Sequence, residues 1–257
     1  MLLAIDVGNT NTVFALFDGA AQVGFWRMTT QAQRTTEEYA VFLNTLLTEA
    51  GLSPQSVSAA IIGSVVPDAN FQLQKLCRKH FGCEPLIVGS PQVALDIKIK
   101  IDRPEEVGAD RLVNAIAGMA THKPPLLIVD FGTATTFDVV DNAGNYCGGA
   151  IAPGINLSLQ ALHAAAAKLP RVGVAQPKKI IGTNTVEAMK SGIFWGYVSL
   201  IEGMIARIKT EFGKPMTVIA TGGLAPMFMD SIPAIEHLDA DLTLRGLHAI
   251  YERNRKG

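Results

Sequence analysis

Long apolar runs are missing from this 257-residue sequence: nothing in it approaches the ~18 consecutive apolar residues that a membrane-spanning helix needs, so no membrane is expected as a partner. Basic runs are missing as well. Lysine and arginine total 22 against 23 acidic residues, the net charge is −1, and the one basic cluster is the short tail Arg253 to Lys256. By electrostatics nucleic acid is not an expected partner. Cysteine is scarce. Cys77, Cys83 and Cys147 are odd in number and lack metal-ligand spacing, which excludes a disulfide framework and a cysteine metal cage. They read as small buried hydrophobes of a reducing compartment. The five histidines are scattered in the same way. The start of the chain has no basic leader and reaches Asp6 before any long apolar stretch, so no signal peptide is expected and the predicted location is the cytoplasm. Charged residues make up only 18% of the chain and hydrophobic ones 48%, a balance that suits well-covered sheets rather than disorder or a coiled coil.

What is present is a sentence written twice. Ile5-Asp6-Val7-Gly8-Asn9-Thr10 and Val129-Asp130-Phe131-Gly132-Thr133-Ala134 are each an apolar strand ending in Asp-x-Gly and a Thr-containing turn. Each is followed by a second apolar run, Val13 to Phe17 and Thr136 to Val140, closed by Asp18 or Asp141. A carboxylate at the mouth of a strand, beside a Gly-containing turn with outward N–H groups and hydroxyls, suits a polyphosphate and its metal ion. Glycine lets the backbone approach closely, amides and hydroxyls donate to phosphate, and a divalent cation has to separate phosphate from aspartate. One such turn alone is equally an ordinary hairpin; two after buried-looking strands imply related half-molecules facing one ligand.

The order of elements agrees. Leu2 to Val7, Val13 to Phe17 and Gln22 to Met28 read as three short strands, Thr36 to Ala50 as a helix stopped by Gly51, and Ala59 to Val65 as a buried strand. A helix opening at Pro67 and carrying Phe71, Leu73 and Leu76, then a strand at Leu86 to Val88, complete an RNase H-like half. After Arg103-Pro104-Glu105-Glu106 come a helix at Asp110 to Thr121 and strands at Leu126 to Val129, Thr135 to Val140 and Tyr146 to Ala152. Helices at Ile155 to Ala167, Thr185 to Phe212 and Leu242 to Tyr251 follow, with a strand at Met216 to Ala220. Ile180-Ile181 reads as strand-like, and Gly192, Gly196 and Gly203 as close core contacts on the long helix. The prediction is an α/β protein of two mixed sheets flanked by helices, divided into residues 1–115 and 116–257, with the site in the cleft between the halves. A third glycine-rich element, Thr221-Gly222-Gly223, closes a strand where an adenine or ribose could lie against the backbone.

The chain resembles the type III pantothenate kinase family. The segments that carry this are the Asp6-x-Gly8-Asn9-Thr10 start, Gly108-Ala109-Asp110-Arg111, Asp130-Phe131-Gly132-Thr133-Ala134-Thr135-Thr136, Gly148 to Gly154, and Asn184-Thr185 with Ser191-Gly192, in that order over essentially the whole chain. The wider relationship is to the duplicated actin-like, Hsp70-like and sugar-kinase ATPase fold. The resemblance implies ATP-dependent phosphorylation of the terminal hydroxyl of pantothenate, with Mg²⁺ accompanying ATP, potassium or ammonium as a monovalent cation, and a homodimer. A kinase of another small hydroxy acid or sugar, and an idle regulatory relative, are the alternatives.

Asp110 lies at the start of a helix, where an aspartate caps well; the resemblance makes it the base that accepts the hydroxyl proton. It likewise makes Gly108, Ala109, Asp110, Arg111 and Thr185 the substrate-binding residues, with Arg111 meeting a carboxylate. Asn184 and Glu187 form a plausible capping box, which would leave Thr185 on the first helical turn. ATP is expected on Asp6, Val7, Gly8, Asn9, Thr10, Asn11, Thr12 and Val13, on Thr133, and on Gly222 and Gly223. Asp6 is the expected carboxylate for Mg²⁺, through water, and Asp130 matches the family's monovalent-cation position. One departure stands out: many members carry tyrosine where Ile101 precedes Asp102-Arg103-Pro104, so a hydroxyl contact gives way to an apolar one.

Overall fold

The computed structural model describes residues 1–165 and 169–255. Ala166 and Ala167 of the expected fourth helix, and Lys256 of the basic tail, lie outside the described residues. The chain forms two compact units, one of residues 1–97, 103–120 and 242–257, the other of 98–102 and 121–241. Relative to a single boundary between 115 and 116, the first unit runs five residues further along its helix and takes back the C-terminal segment.

In the first unit, β1 (Leu2–Val7), β2 (Asn11–Asp18), β3 (Ala21–Thr29), β4 (Ala59–Ser64) and β5 (Pro85–Ile87) form a sheet of order β3-β2-β1-β4-β5. The first three strands are an antiparallel meander; β4 and β5 run parallel to β1. Helices α1 (Thr36–Glu49) and α2 (Pro67–His80) cover one face, packing Tyr39, Leu43, Leu73 and Leu76 against Leu3, Ile5 and Val7. Helices α3 (Ala109–Thr121) and α6 (Leu242–Arg255) cover the other, packing Val113, Ile116, Leu244 and Leu247 against Leu2 and Ala4. Covering both faces is what requires β1 to be apolar at nearly every position. Each fully buried Leu or Ile there contributes about 1.5–3 kcal/mol. The helix starts follow local chemistry: Thr35 caps α1 in a reciprocal box with Glu38, and Pro67 opens α2. Phe71 is not on the buried stripe with Leu73 and Leu76 but 68% exposed, since two residues along a helix turn a side chain most of the way to the opposite face.

The second unit repeats the plan. Strands β6 (Leu126–Phe131), β7 (Ala134–Val140), β8 (Tyr146–Pro153), β9 (Thr217–Thr221) and β10 (His237–Leu238) form a sheet of order β10-β9-β6-β7-β8. Again the meander is antiparallel and the last two strands run parallel to its first. Helices α4 (Ile155–Ala165) and α5 (Thr185–Phe212) belong to this unit; Phe194, Tyr197, Val198 and Ile201 of α5 pack on Leu127, Val129 and Phe131. Among the described residues the expected close contacts at Gly192 and Gly196 are absent, because a Cβ at either would meet nothing within 4 Å. Ile180-Ile181 is not a strand; it lies in irregular chain, 67% and 82% exposed. Among the described residues no helix is long and apolar enough to cross a membrane.

A strap, residues 98–102, is stitched to this unit. Tyr146 N donates to Lys98 O at 2.9 Å and Lys100 N to Tyr146 O at 2.8 Å. Lys100 Nζ lies 2.8 Å from Asp141 Oδ2, and Asp141 also accepts from Asn145 and Ala143 across the β7–β8 turn. Partial burial works against the Asp141 charge, yet Lys100 and the Asn145 donors win and hold its carboxyl well below the ordinary range. A carboxyl with a depressed folded pKa stabilises fully above its unfolded value of about 4 and loses that stabilisation as pH falls towards the folded value. Asp141→Ala is therefore expected to destabilise the protein by about 1–2 kcal/mol at pH 7 and to narrow that gap on acidification below pH ~4. Chemical denaturation at neutral and acid pH measures both; an equal deficit at each pH contradicts the ionic account.

Candidate active site

Asp6 is the one charged residue of β1. Side chains alternate along a strand, so Asp6 projects from the face of Leu2 and Ala4, the face that α3 and α6 cover. Its neighbour on β4 is Gly63, and Val65 N, just past β4, donates to Val7 O at 3.0 Å. Gly108, leading into α3, lies beside Val65: a Cβ on it would be 3.7 Å from Val65 Cγ1. The same Cβ would come within 2.6 Å of Asp110 Oδ1, so only glycine leaves that carboxylate its position. The start of α3 and the β1–β2 turn thus gather at the carboxyl ends of the parallel strands β1 and β4, where open α/β sheets take ligands. Asp110 and Arg111 are half-buried there. Asp110 Oδ1 accepts from Arg111 N at 2.8 Å, which steadies the carboxylate at the positive end of α3.

The β1–β2 turn is held from behind by Thr30, a residue without any motif in the sequence to mark it. Thr30 N donates to Thr10 O at 2.9 Å, Thr30 Oγ1 donates to Gly8 O at 2.7 Å, and Thr12 Oγ1 lies 2.9 Å from Thr30 Oγ1. With its own proton on Gly8 O, Thr30 must receive one from Thr12. Thr12 is fully buried, so its hydroxyl faces Thr30 rather than a ligand. A trans peptide sets C=O and the following N–H in opposite directions, so fixing Gly8 O towards Thr30 turns the Asn9 N–H away from it. Asn9, Thr10 and Asn11 are exposed at the turn. Only a Thr-Thr pair at the end of the meander announces this clasp in the sequence, too common a signal to have found it.

The second unit holds the counterpart. Asp130, one residue before the end of β6, lies on the face opposite Leu127, Val129 and Phe131, pairing with Thr136 of β7 and Thr221 of β9. Its turn is one residue shorter, residues 132–134 against 8–11, and Thr133 is exposed at the tip. Gly154 N donates to Thr133 O at 3.1 Å, tying the entry of α4 to that turn. Gly222 has φ +92°, and a Cβ on it would lie 2.5 Å from Asp130 Oδ1 and 2.7 Å from Phe131 N. The loop after β9 therefore lies against the Asp130 carboxylate, with Gly223 exposed beside it.

Thr185 is the first residue of α5 and is exposed. Asn184 caps the helix as expected, its Oδ1 accepting from Glu187 N at 3.0 Å. The return bond differs from the expected box: Glu187 accepts from Thr183 N and Oγ1, one residue earlier, and these bonds lower its pKa. The cap does not draw on Thr185. Ile101, in the strap, packs on Gly148 of β8, its Cγ2 3.3 Å from where a Cβ would stand. Among the described residues no three metal-ligating side chains gather. A divalent ion beside Asp6 would then take most of its ligands from water and phosphate, which is how Mg²⁺ binds. The residues fit that ion. The structure thus brings Asp6 to Val13 together with Gly108 to Arg111 in one unit, and Asp130 and Thr133 together with Gly222 and Gly223 in the other.

Gly222→Ala tests the close approach in the second unit. The backbone conformation and the contact with Asp130 are expected to cost on the order of 1–3 kcal/mol, read as a lower denaturation midpoint; an unchanged midpoint would show that the loop has room.

The family model for type III pantothenate kinase matches residues 2–207. The type III pantothenate kinase of Paramagnetospirillum magneticum is 62% identical over 254 residues, 99% of this chain and 98% of that one. That of Rhodospirillum rubrum is 59% identical over 255 residues, 99% of both. Among solved structures, a putative Baf family transcriptional activator from Campylobacter jejuni is similar with TM-score 0.64 at 19% identity, over 99% of this chain and 100% of that one. A putative 2-dehydro-3-deoxygalactonokinase from Sinorhizobium meliloti gives 0.62 at 12%, over 98% and 99%. At such identities the solved structures speak for the fold, the duplicated two-lobed α/β fold of sugar kinases and actin-like ATPases; the relatives above 50% identity over nearly full length speak for the family. This chain belongs to the type III pantothenate kinase family.

Proposed function

We propose that Asp110 is the base of the reaction this family performs, ATP-dependent phosphorylation of the terminal hydroxyl of pantothenate, the first step towards coenzyme A. The observation that carries the reading is the gathering of Asp6, its anion-accepting turn and the Gly108 to Arg111 segment at one end of β1 and β4. Phosphoryl transfer needs chiefly positioning and charge neutralisation, with a base that takes the hydroxyl proton. Asp110 is half-buried with one oxygen steadied by the Arg111 amide, and accepts that proton on its carboxylate. Arg111 offers a planar donor fork to the pantothenate carboxylate, and Thr185 a hydroxyl at the α5 N-terminus.

ATP phosphates meet the main chain from Asp6 to Val13 and the hydroxyl of Thr133, with Gly222 and Gly223 beside the nucleoside. Thr12 serves through its backbone, since its hydroxyl is engaged with Thr30. Asp6 holds Mg²⁺ through water, and Asp130 a monovalent cation, potassium or ammonium. When bound, these ions neutralise charge on the phosphates. The protein works in the cytoplasm as a homodimer. Supporting the dimer are exposed Ile151, Ile180 and Ile181 and the uncovered Gly192 and Gly196 on α5.

Asp110→Asn keeps shape and removes the base. Pantothenate-dependent ADP release is expected to fall about 10²–10⁴-fold in kcat, while ATP affinity by calorimetry stays at the wild-type value. A kcat within a few-fold of wild type would return Asp110 to a helix cap. Light scattering at micromolar concentration is expected to give twice the chain mass; a monomer mass overturns the dimer.

A further inference from the structure

Asp138 is fully buried in the middle of β7, and nothing in the reaction described so far uses it. It accepts a hydrogen bond on each oxygen: Tyr146 Oη donates to Oδ1 at 2.8 Å and Thr136 Oγ1 to Oδ2 at 2.8 Å. Tyr146 is fully buried too, and its main chain carries the strap that presents Ile101. A carboxylate placed here costs several kcal/mol in desolvation unless its oxygens are satisfied. A sheet that needed only stability would carry an apolar residue at this point, as Val129 or Phe137 does nearby.

The register shows what Asp138 does with its position. Thr136 lies directly across the β6–β7 ladder from Asp130, and Asp138 across from Ile128, so all of them project from one face. Directly opposed side chains on a ladder have Cβ atoms about 5 Å apart. Thr136 has spent its only proton on Asp138. Its hydroxyl is left with lone pairs alone, and such an oxygen on the residue across the ladder from a carboxylate gives two acceptors suited to a cation between them. We propose that Asp138 is a positioning residue that, through Thr136, prepares an oxygen ligand opposite Asp130 for the monovalent cation and so sets potassium affinity. The inference rests on the reading of Asp130 as the cation position and extends it to residues that do not themselves carry that assignment. The Tyr146 bond anchors the other oxygen, so the Asp138 carboxylate cannot rotate away from Thr136.

The test compares Asp138→Asn, Thr136→Val, Thr136→Ser and Asp130→Asn with the full-length wild type. Two readouts are taken: half-saturating potassium for pantothenate-dependent turnover, and the rise in thermal midpoint on titrating potassium chloride against choline chloride without nucleotide. The expected result is a half-saturating potassium concentration about tenfold higher in Asp138→Asn and Thr136→Val, of the size found when a metal ligand loses its orienting partner. Both should also lose the potassium-specific thermal shift, with KM for pantothenate unchanged, and Thr136→Ser should behave as wild type. Should Asp138→Asn fail to fold, Thr136→Val carries the test alone. Wild-type potassium responses in Asp138→Asn and Thr136→Val, with the response lost in Asp130→Asn, overturn the positioning role only. An unaltered potassium response in Asp130→Asn overturns the cation reading itself, and the positioning role with it.

Discussion

Asp6 and Asp130 are each the only charged residue of an apolar central strand, and each stands one residue before the strand's end, where it is only half-buried. Further back, both faces are covered and desolvation would cost several kcal/mol; further forward, the strand has ended and the carboxylate is no longer held. The last turn of chain has to supply donors and leave room for a ligand. That single requirement accounts for the glycines at 8, 108, 132 and 222 and for the threonines around them. It also accounts for a clasp beside each aspartate. Thr30 fixes the first turn by two hydrogen bonds, and Asp138 fixes Thr136 beside the second aspartate.

The two units reuse one topology, an antiparallel meander followed by two parallel strands, with the aspartate in the same place on the first strand. They differ in their first turns. The first turn is longer and exposes two asparagines and a threonine; the second is shorter and has the loop after β9 pressed on its carboxylate. In the first unit the Asp-bearing face is covered by α3, whose N-terminus carries Asp110, so Asp110 and Asp6 belong to one compact unit.

Most of this order was legible because apolar runs bounded by Gly, Pro and Asp are strong signals, and β1, α5 and the meanders begin and end close to where those signals fall. The Asp-x-Gly repeats and the Gly-Ala-Asp-Arg turn pointed to segments that do lie at the carboxyl ends of the parallel strands, each within its own unit. What escaped reading depends on contacts between segments distant in sequence. The return of α6 to the first unit is set by Leu244 and Leu247 meeting Leu2 and Ala4, which no local pattern encodes. Thr30 and Asp138 look like any strand-end Thr and any strand Asp until register places them. Ile180-Ile181 misled because two β-branched residues in an exposed loop imitate a short strand. Gly192 and Gly196 misled because small residues on a helix serve an external contact as readily as an internal one.

The central claim is that this chain phosphorylates pantothenate at the expense of ATP. ADP release by the wild-type protein from ATP and Mg²⁺ in potassium buffer, with pantothenate, N-acetylglucosamine, glucose or no acceptor, tests it most directly. The account predicts turnover with pantothenate alone, with one equivalent of phosphopantothenate found by mass for each ADP. Turnover driven by a sugar, or ADP formed equally without any acceptor, would contradict it.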